Sequence, residues 1–102
     1  MISKELIRNA DKAAEFLTLL GNSKRLAIMS HLLESELSVG AIAEKVSLSQ
    51  SALSQHLAKL REQGLVAYRR EAQVLFYRVE DPRALRLLAL LHELFCPDLI
   101  GN

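Results

Sequence analysis

The chain has 102 residues, enough for one domain with a modest core. Half are apolar and a quarter charged, the balance of an ordinary globular protein rather than a disordered one. A net charge of +1 predicts no partner by itself, and a single cysteine, Cys96, excludes an intramolecular disulfide.

The placement of charge says more. Residues 45 to 78 carry six basic side chains against two acidic, or +4, which leaves −3 for the flanks. A basic middle suits a polyanion, although so few charges also allow plain scatter. The start, MISKELIRNADKAAEF, is charged and amphipathic and lacks the apolar centre of a signal peptide. The most apolar run, ALRLLALLHELF, contains Arg86, His92 and Glu93, and is too short and too charged to span a bilayer. A cytoplasmic protein with no membrane partner is expected.

The elements follow in chain order. Residues 4 to 20 read as one helix, with Leu6, Ile7, Ala10, Ala13, Ala14, Leu17 and Leu20 on a stripe. Gly21, tolerant of positive φ, ends it. Asn22 or Ser23 caps a second helix to about Glu34, with Leu26, Ile28, Met29, Leu32 and Leu33 inward. Ser38 caps a third of about eight residues. Residues 47 to 49 make a tight connection, and Ser49 caps a fourth helix that Gly64 ends. The period then changes to two. Strands are expected over Leu65 to Arg70 and Val74 to Val79, joined by Glu71, Ala72 and Gln73. Without Asn-Gly, the connection should exceed two residues. Asp81 caps a last helix with Pro82 at its first position, running to about Phe95 and stopped by Pro97.

The order predicts a mainly α fold with a small β-hairpin, a winged helix-turn-helix filling residues 1 to 102 as one domain. The fourth helix, about 49–63, is the candidate recognition helix, and 65–79 the wing. At about 100° per residue, Leu53, Leu57 and Leu60 face inward. The opposite sector holds Ser51, Gln55, Ala58, Lys59 and Glu62, with Ser54 and Gln50 at its edge. Major-groove readout uses such side chains: Gln can pair bidentately with adenine, Ser can serve several bases, and Ala can touch a thymine methyl. Ser49 is a cap that also stands near a phosphate. His56 falls on the flank, as a packing residue rather than a base reader. In the wing, Arg69, Arg70 and Gln73 flank the turn. Adjacent residues point to opposite faces of a strand, so at most one arginine should meet the phosphates strongly while the other pairs with Glu71 or an acidic neighbour; Arg70 is favoured for the phosphates.

The last helix is apolar nearly all the way round and needs cover on every side. The first helix has a similar surplus. A homodimer is expected through Phe16, Leu19, Leu20, Leu87, Leu88, Leu91, Leu94 and Phe95, with the two recognition helices roughly 34 Å apart on duplex DNA. A rival reading is a winged-helix module that binds another protein and not DNA. An enzyme is disfavoured: no carboxylates pair at a useful spacing, no glycine loop could hold phosphate, and Cys96 has only His92 near it in sequence.

The segments ELSVGAIAEKVSLSQSALSQHLAKLREQGLV and RREAQVLFYRV closely resemble the arsenic-repressor-type (ArsR/SmtB) bacterial winged-helix regulators, most of all the non-metal, HlyU/NolR/BigR-like branch. The resemblance covers about Ala14 to Cys96. It implies a dimer on an imperfect promoter palindrome, often blocking polymerase as a repressor or displacing a silencing protein. One of the family's metal sites would need thiolates and a carboxylate where Ser38, Gly40 and Ala41 stand. The other would need an Asp-x-His pair, and here Asp81 is followed by Arg83, with Leu94 and Pro97 at the later ligand positions. No metal and no cofactor are therefore expected, and His31 and His92 read as structural. The persulfide-sensing members pair two cysteines. Cys96 matches the second, whereas the first falls on Ser30. One thiol could still respond through sulfenic acid or a mixed disulfide, or be inert.

Overall fold

A computed structural model of the protein describes residues 3–96. In chain order it contains α1 (Lys4–Arg8), α2 (Ala10–Leu20), α3 (Ser23–Glu34), β1 (Leu37–Ser38), α4 (Val39–Val46), α5 (Gln50–Glu62), β2 (Val66–Glu71), β3 (Val74–Val79) and α6 (Pro82–Phe95). The expected stop at Pro97 lies outside the described residues.

The chain's own chemistry accounts for most boundaries. Asn22 caps α3, its side chain accepting from the N–H groups of Lys24 and Arg25 at 3.0 and 3.1 Å. Ser38 and Ser49 accept from Ala41 and Ala52 and start α4 and α5. Asp81 caps α6 through the Arg83 N–H at 2.8 Å. Gly64 stands at φ +78°, and the bonds Leu65 N–H to Leu60 C=O and Gly64 N–H to Arg61 C=O close a Schellman motif. That turn sends the chain from α5 straight into the wing.

Four expectations change. The single helix over 4–20 is interrupted at Asn9, whose backbone N–H and side-chain amide both donate to the Glu5 carbonyl at 2.9 Å. Asn9 itself leaves helical geometry, at φ −99° and ψ 15°, and its side-chain amide gives the backbone a local alternative to an unbroken helix. Gly21 has φ −79° rather than a positive value. A Cβ there would lie 3.1 Å from the Leu17 carbonyl oxygen, a tight contact that glycine avoids. The hairpin turn has two residues, not three or more. Glu71 pairs with Val74, leaving Ala72 and Gln73, and Ala72 takes φ +56°, where glycine is usual. A third strand, β1, is also present, pairing antiparallel with β3 at Tyr77 and Phe76 to give the order β1-β3-β2. Two residues are too few to show a period.

One core runs through these elements. Ile28 and Met29 of α3, Ile42 of α4, Leu53, Leu57 and Leu60 of α5, and Leu88 of α6 are all buried in it. Leu19, Leu20 and Leu88, expected on a partner-facing surface, are 9%, 3% and 1% exposed and belong to the protomer's own core. They sit on the sides of α2 and α6 that face inward, so the outer surplus must come from other residues. Phe16, Leu87 and Leu91 are half-buried, while Leu94 and Phe95 are 60% and 78% exposed. Of the large apolar side chains left exposed, all except Tyr68 and Val74 lie on α1, α2 or α6. Among the described residues, no helix is long and apolar enough to cross a membrane.

Candidate nucleic-acid interface

Helix α5 divides cleanly by face. Leu53, Leu57 and Leu60 are sealed in the core, while Ser49, Gln50, Ser51, Ser54, Gln55, Ala58, Lys59 and Glu62 are exposed. Burial of the leucines sets the rotation of the helix, and that rotation puts the hydroxyls and amides outward together. The N-terminal half of α5 thus presents a polar, mostly uncharged strip, the kind of surface that can donate to and accept from base edges.

The wing is braced against this helix. The Arg61 guanidinium near the end of α5 lies 5.0 Å over the Tyr68 ring of β2, and Tyr68 meets Tyr77 of β3 at 5.4 Å between ring centres. Cation–aromatic and tilted aromatic contacts of this sort hold an angle as well as a distance. At the wing tip, Gln73 lines one groove with Gln50 and Ser54 of α5 and with Ser38, Val39 and Gly40 at the start of α4. The groove measures about 490 Å³, so the wing and α5 enclose a common concave surface.

The two wing arginines have different surroundings. Arg69 pairs with Glu36 at 2.8 Å and with Glu71 at 2.6 Å, and lies 4.7 Å over the Phe76 ring. Hydrogen bonds to Glu36 and then Glu71 raise its already high pKa further. Its charge is engaged within the chain. Arg70 is exposed and, among the described residues, makes no ion pair. Glu36 was not foreseen as a partner: it lies 33 positions from Arg69 in sequence, and only the pairing of β1 with β3 brings it across.

His56 is half-buried on the flank of α5, with Nδ1 3.5 Å from an Arg25 guanidinium nitrogen. It touches α3 rather than pointing outward. Burial first, then the charges of Arg25, Lys59 and Lys24, hold its pKa below the ordinary histidine value.

The remaining candidate residues are spread out. Asp81 is clasped by Arg83, with guanidinium to carboxylate distances of 2.7 to 3.2 Å. That hydrogen bonding, against the opposing effect of burial, holds the carboxyl below its usual pKa. Arg83 also lies 5.1 Å over the Phe16 ring. The carboxylate thus already has its cation. Among the described residues, no three His, Cys, Asp or Glu side chains gather in a way that could hold a metal ion. Cys96 is half-buried beside an apolar cleft of about 370 Å³ that also includes Ser30, His92 and Phe95, and the Ser30 hydroxyl stands 3.3 Å from His92 Nε2. Ser30 and Cys96 therefore share one cleft, but only one of them carries a thiol.

Comparison with known proteins agrees with this arrangement. The family model for "Bacterial regulatory protein, arsR family" matches residues 22–68, which run from the cap of α3 into the wing. The transcriptional activator HlyU of Vibrio cholerae is 46% identical over 93 residues, spanning 91% of this chain and 86% of the relative. The structure of reduced HlyU superposes with a TM-score of 0.86 over 92% of this chain and 99% of that one. The nodulation protein NolR of Rhizobium meliloti is 48% identical over 90 residues, 88% of this chain and 74% of the relative. A homodimeric winged helix-turn-helix DNA-binding domain from Mycobacterium bovis, 30% identical, has a TM-score of 0.79 and covers 99% of this chain and 94% of its own.

Proposed function

The chain belongs to the arsR family of bacterial regulatory proteins, and from that membership we propose that it is a homodimeric transcriptional regulator acting in the cytoplasm on a promoter palindrome. The observation that carries the reading is the uncharged polar strip of α5, Gln50, Ser51, Ser54 and Gln55, held outward by three buried leucines. In the proposed complex these side chains and Ala58 face base edges in the major groove. Ser49, Lys59, Arg70 and Gln73 meet the sugar-phosphate backbone on either side, and Arg69 stiffens the wing. The dimer forms through the outer faces of α1, α2 and α6, with Phe16, Leu87, Leu91, Leu94 and Phe95 at its centre. A two-fold dimer reads two half-sites, which makes the target palindromic.

The test is selection of bound duplexes from a random library, followed by anisotropy on the enriched sequence. The slope of log K against log[salt] should be several units. Gln55→Ala should weaken the enriched duplex by about 1–3 kcal/mol and leave a random duplex nearly unchanged. Equal losses on both would remove Gln55 from base reading, and no salt-dependent binding at all would favour the protein-interaction module.

The input is proposed to be metal-independent, supported by the Arg83 clasp on Asp81 and by Ser38, Gly40 and Ala41 on α4. A thiol response would run through Cys96 alone, as sulfenic acid or a mixed disulfide. Under this reading Cys96→Ser keeps the affinity of the reduced protein within about twofold, and removes any change in DNA occupancy caused by oxidant or a sulfide donor. A wild-type footprint that is identical with and without those reagents would exclude Cys96 as a sensor.

A further inference from the structure

Two cations, Lys24 and Arg25, occupy the first turn of α3, where the helix dipole opposes positive charge. Their contacts explain the placement. The last carbonyls of a helix lack partners within it, and these side chains reach two such ends. Lys24 Nζ donates to the Val46 carbonyl at the end of α4 at 3.2 Å, and Arg25 Nε donates to the Leu19 carbonyl at the end of α2. The same Arg25 guanidinium turns its other edge to His56 Nδ1, 3.5 Å away in the middle of α5. One side chain thus spans a helix with an exposed apolar flank and the helix that presents the polar strip.

We infer that Arg25 and His56 form a positioning pair that fixes the recognition helix against α2, and that DNA binding by this chain weakens when His56 takes up a proton. The inference rests on the DNA-binding reading above. A guanidinium has no acceptor, so the contact requires a bare Nδ1 and the imidazole proton on Nε2. Protonation removes the acceptor and adds a fourth positive charge to those of Arg25 and Lys24 of α3 and Lys59 of α5. Glu15 of α2 shares a cavity of about 390 Å³ with Arg25 and Lys59, and among the described residues no carboxylate offsets the cations around His56. A histidine held below its ordinary pKa stays neutral in the folded protein while the unfolded chain begins to charge. The contact is therefore complete above the ordinary histidine range and is lost as pH falls toward the lowered value. Nonspecific electrostatics has the opposite sign, because acid makes any protein more positive and tightens its hold on a polyanion.

The experiment measures anisotropy on a duplex enriched by the wild type at about pH 7.5, and on a random duplex, down to about pH 5.5, with helicity followed by circular dichroism. Wild type should lose affinity for the enriched duplex toward the acid end of that range, by less than the roughly tenfold that complete loss of one hydrogen bond to a charged group would cost, because a lowered pKa leaves His56 only partly charged there. His56→Asn places an untitratable oxygen near the Nδ1 position. It should bind within about threefold of wild type at the higher pH and stay flat. His56→Ala should be about tenfold weaker throughout. The random duplex should tighten with acid for all three proteins. The proposal is overturned if His56→Asn follows the wild-type pH profile, or if wild type holds or tightens on its enriched duplex. Failure of the wild type to enrich any duplex would overturn the DNA-binding reading and this inference with it.

Discussion

A Leu94→Glu, Phe95→Glu double variant should be monomeric and bind its enriched duplex at least about 100-fold more weakly than wild type. Both side chains stand at the end of α6 and are largely exposed in the protomer, so the substitution removes nothing from the core. In a two-fold dimer each change counts twice. Covering a Leu or Phe side chain contributes roughly 1.5–3 kcal/mol, and an unpaired carboxylate in the same place costs more than the apolar group gains. The affinity follows from linkage. Once one half-site is bound, the second engages at an effective concentration that raises overall affinity by roughly 10² or more, and a monomer forfeits this. Sedimentation velocity at matched concentration reads the assembly state, and anisotropy reads the binding. A variant that stays dimeric with unchanged affinity would place the interface elsewhere. A monomer with unchanged affinity would remove the palindrome.

The second large effect is on stability. Leu57→Ala should lower the free energy of unfolding by roughly 2–5 kcal/mol, the range for emptying a well-packed leucine site. Leu57 is buried at the centre of the α5 stripe, between Leu53 and Leu60, and is 1% exposed. Against a total of roughly 5–15 kcal/mol, that is a substantial share of the fold. Gln55→Ala, two residues away on the opposite face, should change stability by less than about 0.5 kcal/mol. Denaturant melts at one protein concentration separate the two, since dimerisation makes the midpoint concentration-dependent. A loss below about 1 kcal/mol for Leu57→Ala would mean that α5 is not held by this stripe.

These contrasts follow from what is written locally in the chain. Hydroxyl and amide caps at Ser38, Ser49 and Asp81, and the glycine at position 64, mark helix ends because they satisfy backbone groups within four residues. The polar strip of α5 was legible for the same reason: helical geometry alone converts the spacing of Leu53, Leu57 and Leu60 into a direction for Gln55. The branch of the family was legible in the α4–α5 segment and the wing.

What failed in the reading involved partners distant in sequence, or contacts at a single atom. Asn9 interrupts the first helix by leaving helical geometry, and the two residues of β1 become a strand only because β3 lies beside them. Ala72 adopts a positive φ that its side chain disfavours, because the register of β2 on β3 leaves two residues for the turn. Arg70 was already favoured as the wing arginine without an ion pair, but the Glu36 partner of Arg69 is delivered across the sheet by β1. Which leucines of α2 and α6 are buried in the protomer was decided by how those helices lie on α3 and β3. The contact between Arg25 and His56 joins positions 31 apart. Local rules act through the backbone's own period and hydrogen bonds, so the chain determined most of its elements and the polar strip of α5 by itself. Ion pairs and buried faces depend on which surfaces meet, and only the tertiary structure decided those.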